Sequence, residues 1–169
     1  MGNRYDRSTN QSATIDVDSH SEVRSGRPEL PPPVPQSAIS VVHPAELSAE
    51  TQQTSGSLRM SAIAAMHGIA SSLWAGMFVV EPSAKTGIHH HGEQDTVVYV
   101  LEGEACVQWG DRGEHSAIVK AGDFLHVPSW LPHQELNTSI EHPFRWVVVR
   151  STPEPIVVNL PDNFWTNTY

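Results

Sequence analysis

Beyond residue 37 the chain is built of short runs rich in β-branched and aromatic residues, broken by glycine and proline. Residues 73–80, 96–102, 105–109, 116–119, 124–127, 133–136, 145–150 and 156–160 each read as a strand. Turn residues punctuate them: Pro82, Gly87, Gly103, Gly110, Gly113, Gly122, Pro128, Pro132, Pro143 and Pro153. Short strands at even spacing predict an all-β sandwich or barrel. Within 109–114, Asp111 and Gly113 tolerate positive φ, so this stretch predicts a hairpin turn. Residues 45–51 predict a helical or irregular turn behind Pro44, while 62–71 fit neither the strand nor the helix period. No internal repeat is present.

Residues 1–37 lack this pattern. They hold only eight apolar residues and end in a run containing Pro28, Pro31, Pro32, Pro33 and Pro35. So little apolar surface cannot offset the entropy of ordering the chain. The segment therefore predicts a disordered arm ending in a stiff polyproline spacer, or else an arm that wraps a partner subunit. The working domain is then 38–169, and 169 residues leave room for one such domain.

Ten Lys and Arg against 19 Asp and Glu give a formal charge of −9. This argues against nucleic acid or an anionic membrane as the main partner. The start of the chain has no apolar core of the secretory type, and no apolar stretch is long enough to span a bilayer. Cys106 is the only cysteine, which excludes an intramolecular disulfide and a thiolate-rich zinc site and fits a reducing, cytoplasmic setting. On its strand it reads as a small core residue.

Histidine is as abundant as Lys and Arg together, and seven of the ten lie between His89 and His142. In the stretch Gly87-Ile88-His89-His90-His91-Gly92-Glu93-Gln94-Asp95-Thr96, strand alternation puts His89 and His91 on one face and His90 on the other. Two imidazoles at i and i+2 can chelate one first-row metal ion. His133, on another strand, can supply a third nitrogen, and Glu135 and Asn137 share its face.

With these residues in place the sequence resembles the cupin superfamily. The first family motif fits Gly87, His89, His91 and Gly103, and the second fits Gly122, Pro128, His133 and Asn137. The resemblance implies a double-stranded β-helix, or jelly-roll barrel, over roughly 45–160. Three departures stand out. The Gly87–His89 spacing is short, Trp130 stands where a turn glycine is usual, and Thr96 stands where the family's glutamate ligand falls. Threonine is a poor metal ligand. The shell can be three histidines with water, or it can draw on Glu135 or, less directly, Glu93; Asp95 should face away. Glu135, Asn137 and Gln94 are the candidate partners for the histidines' outer nitrogens.

Thr96, Val98, Trp130 and His126 are further candidate pocket residues, with Val100 and Phe124 completing an apolar lumen. Trp130, just before His133, is placed to gate or stack a substrate. His126 reads first as a satisfied wall residue, and His115 as exposed. The resemblance implies one divalent transition metal, Fe(II) before Zn(II) or Ni(II), and a small-molecule substrate. Like the three-histidine dioxygenases of the family, the site would cleave a diketone or enol oxidatively. The second reading is a Zn or Ni cyclase, isomerase or lyase with Glu135 as the proton-transfer residue, after small polyketide-cyclase cupins. The third is a metal-containing binding or sensor module without turnover. The family's habits also imply a homodimer, for which residues 39–42 offer an edge strand.

Overall fold

The computed structural model describes residues 38–166; the proline-rich arm over 1–37 lies outside the described residues. Ten strands follow in chain order: β1 (Ser57–Ile63), β2 (Trp74–Val80), β3 (His89–His90), β4 (Thr96–Glu102), β5 (Glu104–Trp109), β6 (His115–Lys120), β7 (Phe124–Val127), β8 (His133–Leu136), β9 (Phe144–Arg150) and β10 (Val158–Asn159). They form two five-stranded antiparallel sheets, ordered β1-β2-β9-β4-β7 and β10-β3-β8-β5-β6. This is the jelly-roll arrangement that the sequence resemblance implies. The segment 45–51 supplies only a short 3-10 turn at Pro44–Glu46, and 62–71 divides between the end of β1 and a second 3-10 turn at Ala65–His67. Residues 39–42 form no strand in the single chain. No helix among the described residues is long and apolar enough to cross a membrane.

The core follows from strand alternation. In β9, Phe144, Trp146 and Val148 are buried on one stripe, and Val98 and Val100 of the neighbouring β4 lie beside Val148 and Trp146 on the same face. Trp146 sits between two aromatics, stacked on Phe78 at 5.0 Å and edge-on to Phe144 at 4.7 Å. Cys106 is only half-buried, because the alternate positions of β5, Ala105 and Val107, take the inward face. The β4–β5 turn needs Gly103 at φ +84°, where a Cβ would lie 2.6 Å from the Pro143 carbonyl oxygen.

The two seams between the sheets differ. At the β1–β10 seam the Gln53 side chain is bonded both ways to the Arg59 backbone, at 2.8 and 2.9 Å, and Gln52 Oε1 accepts from the Val157 amide at 2.7 Å. The β6 and β7 edges are not paired with each other. Between them opens a cleft of about 460 Å³ lined mainly by Val107, Trp109, Val119, Leu125 and Val127, with His133 at its inner wall. Phe124, expected in the lumen, is instead 73% exposed at the rim of this cleft.

Asn137 is a fold residue rather than a partner of the histidines. Its buried amide donates to the carbonyls of Val80, Glu81 and His142 at 3.0, 3.2 and 2.9 Å, and its Oδ1 accepts from the Ser139 amide at 3.0 Å. Asn137→Ala strands these carbonyls and is expected to lower stability by about 2–4 kcal/mol, measured as a reduced urea midpoint at unchanged m-value.

Candidate metal centre

β3 and β8 are neighbours in one sheet, and their register places His89 directly opposite His133. His91 follows two residues after His89, so its ring returns to the same face. The three rings lie 4.4 to 5.1 Å apart by centroid, and their ligand nitrogens all fall within 4.8 Å of one another. All three side chains are buried. His133 reaches the site from the adjacent strand of the same sheet rather than from across the barrel.

The tautomers follow from the acceptors. His89 Nδ1–H donates to the Gly87 carbonyl at 2.9 Å, and His133 Nδ1–H donates to the Leu131 carbonyl at 2.8 Å. His91 Nδ1–H reaches Thr96 Oγ1 at 2.9 Å, while its Nε2 accepts from Arg150 Nη2 at 3.0 Å. Each ring therefore carries its proton outward and turns an Nε2 lone pair inward. Thr96 stands where the family's glutamate falls, and it orients His91 instead of ligating. Two backbone carbonyls and this hydroxyl do the work expected of Glu135, Asn137 and Gln94. Gln94 is buried but holds the Ile156 amide, Thr152 and the Glu154 carbonyl.

His133 Nε2 is buried and has no hydrogen-bond donor. Glu135 Oε1 is 3.6 Å away, and a carboxylate oxygen offers no proton to it. A buried acceptor without a donor is uncommon in a folded chain, and here it is aimed at two further imidazole lone pairs. A divalent transition ion satisfies all three at once, so the residues fit a metal. Burial is the largest cause holding His89, His91 and His133 below the ordinary histidine value. The rings are therefore neutral, as ligands must be.

Glu135 is buried beside them. Its Oε2 accepts from Thr86 Oγ1 at 2.7 Å, and its backbone amide donates to the same hydroxyl at 2.9 Å. Glu93 is exposed in the loop and does not turn in. Asp95 faces outward as expected, where it meets His126 at 3.3 Å, and both are well exposed. His126 reaches only the rim of the β6–β7 cleft. Trp130 adopts φ +64°, the conformation that makes glycine usual at this turn, and its amide donates to the Gly92 carbonyl at 2.7 Å. Its ring lies 5.5 Å from His90, and the residue is 64% exposed and lines neither the histidine cavity nor the β6–β7 cleft. Val98 does line the histidine cavity.

Two residues at the site were not singled out from the sequence. Arg59 of β1 and Arg150 of β9 are 1% and 2% exposed, and both line the histidine cavity. Burial lowers their pKa values to about 10 and about 9, still above neutrality, so both stay charged. Arg150 had a sequence signal, since it extends the inward stripe of Phe144, Trp146 and Val148 by one more alternate position. Arg59 had none of the usual kind, because β1 turns polar Arg59 and Ser61 inward while Leu58 is exposed.

Residues 76–150 match the family model of the cupin domain. No curated protein sequence matches the chain. Among solved structures it is similar to the polyketide cyclase RemF from Streptomyces resistomycificus, with 24% identity, TM-score 0.60, and coverage of 76% of this chain and 91% of that one. It also resembles an uncharacterised double-stranded β-helix protein from Klebsiella pneumoniae, at 19% identity, TM-score 0.53, and 66% and 90% coverage. Oxalate decarboxylase from Lactobacillus farciminis aligns at 18% identity and TM-score 0.60, over 70% of this chain and 35% of that longer one. At these identities the likeness concerns the fold.

Two outcomes follow from the ring contacts. Thr96→Val removes the acceptor that orients His91 and is expected to weaken metal binding by about 10- to 100-fold in a competitive chelator titration. In the metal-free protein the folded state resists protonating these histidines, whereas the unfolded chain takes up protons below about pH 6.5. Stability should therefore fall as pH drops below that value, by about 1.4 kcal/mol per pH unit for each such histidine, in urea unfolding across pH 5–7.

Proposed function

We propose that this chain, which belongs to the cupin superfamily through residues 76–150, is a metal-dependent enzyme that moves a proton on a small organic substrate without redox change. The observation that carries this reading is the place of Glu135. It is a buried carboxylate, fixed through Oε2 by Thr86, with Oε1 3.6 Å from the inward nitrogen of His133. Cyclisation, isomerisation and elimination all need such a group. A zinc or nickel ion on the three histidines would supply Lewis acidity to a substrate oxygen, and iron(II) would add the redox capacity for dioxygen chemistry.

The chain's own residues do the rest. Glu135 takes a proton from the substrate at Oε1 and returns it there. Phe78, Val98, Val127, Trp146 and Val148 form an apolar wall that limits water around that transfer. The β6–β7 cleft offers the space an organic substrate requires, and it shares His133 and Val127 with the histidine cavity. A cyclase among the similar structures is consistent with this reading.

The second reading is an iron(II) dioxygenase cleaving a diketone or enol. It is favoured by the neutral ligand set, in which all three nitrogens belong to uncharged imidazoles.

The two readings separate experimentally. Zinc- or nickel-loaded protein should catalyse deuterium uptake from D2O into an enolisable ketone without oxygen consumption. Glu135→Gln should keep its metal and lose that activity by about 10²–10⁴-fold. Oxygen uptake in step with diketone loss, seen only in the iron form, would favour the dioxygenase. Loss of metal from Glu135→Gln would make Glu135 a ligand instead.

A further inference from the structure

Among the described residues, five buried side-chain atoms have no hydrogen-bond partner, and four belong to residues lining the histidine cavity. They are of two kinds. His133 Nε2 is an acceptor and calls for a cation. Arg59 Nε, Arg150 Nε and Trp146 Nε1 can only donate, and call for an acceptor. From these orphaned donors we infer that Arg59, Arg150 and Trp146 form an anion subsite beside the histidines, and that the substrate enters as an organic oxyanion, a carboxylate or enolate.

The charges agree. Neither arginine makes an ion pair within 4.0 Å among the described residues, where Arg145 with Glu102 is the arginine pair that does. The Arg59 guanidinium donates to the Gln52 carbonyl and lies 5.1 Å from the Phe78 ring centroid. Arg150 donates to the Ile156 carbonyl at 3.0 Å, to Gln94 Oε1 at 3.4 Å, and to His91 Nε2 at 3.0 Å. Glu135 is the one carboxylate lining the cavity against these two guanidinium groups. Such an excess of buried positive charge is unfavourable unless an anion joins it, and a divalent ion would enlarge it. Arg150 Nη2 also occupies the His91 lone pair that a metal would take. Once that acceptor is lost, the guanidinium needs a new one, which a substrate oxygen provides. Gln94 holds the guanidinium in place for this, being itself bonded to the Ile156 amide at 2.6 Å.

This inference rests on the metal-enzyme reading for its substrate, but the arginine site can be tested apart from it. The probe is acetate, with acetamide as the uncharged match, titrated calorimetrically into the full chain in low-chloride buffer. The zinc-loaded and the chelator-stripped protein are both used, and metal content is measured in each. Acetate is expected to bind and acetamide not to bind. Arg59→Met and Arg150→Met should each weaken acetate by at least about tenfold, since a charge-assisted hydrogen bond is lost. Arg59→Lys and Arg150→Lys, which keep the charge but lose the planar fork, serve if a methionine variant does not fold, and they too should bind acetate more weakly. Acetate affinity within about twofold of wild type in the arginine variants, or equal binding of acetamide, would overturn the inference. Failure of the wild type to hold zinc, with arginine-dependent acetate binding intact, would sink the metal-enzyme reading and leave the anion site standing.

Discussion

The structure turns on a buried nitrogen with no proton to receive. His133 Nε2 faces the interior because Nδ1–H is committed to the Leu131 carbonyl, and His89 is committed in the same way to the carbonyl of Gly87. The backbone therefore decides which nitrogen is outward and which is inward before any ligand arrives. Thr96 extends this to His91 with a hydroxyl. Apolar burial then keeps the rings neutral. A divalent metal ion is a group that the three-histidine arrangement can hold.

The same cavity gathers charge that an apolar sandwich would otherwise exclude. Arg59 and Arg150 arrive on strands of the sheet opposite the histidines, one from the edge strand β1 and one from the end of β9. Glu135 arrives beside the histidines on β8, held by the Thr86 hydroxyl. Cationic side chains thus lie on one sheet, and the three histidines with Glu135 on the other. Val98 and Val148 of the first sheet line the space they share. Locking of the β1–β10 seam by Gln52 and Gln53 fixes the strand that carries Arg59, while the unpaired β6 and β7 edges leave a mainly apolar cleft between them.

This division explains what was legible in the sequence. Strands β4, β7 and β8 coincide with their predicted ranges, and β2, β5, β6 and β9 differ by a residue or so at their ends, because glycine or proline marks most of their turns and, outside β8, their buried positions are mainly apolar. The histidine triad was legible because period-two alternation places His89 and His91 on one face whatever the details of the fold. β1 was missed because its inward residues are Arg59 and Ser61 and its exposed one is Leu58, the reverse of the usual pattern. Local rules fail there because the position serves the cavity rather than the core. The roles of Asn137 and Gln94 were misread for a different reason. Side chains on loops and strand ends are directed by partners distant in sequence, such as Val80 for Asn137 and Ile156 for Gln94.

The central claim is that His89, His91 and His133 hold one divalent ion through their inward nitrogens. Anomalous diffraction at the metal edge, from crystals of protein reconstituted with cobalt, tests it directly. The account predicts a single anomalous peak at about 2.0–2.2 Å from the Nε2 atoms of all three histidines. A peak elsewhere, a peak bound through an Nδ1 atom, or an empty cavity with the Arg150–His91 contact unchanged would contradict it.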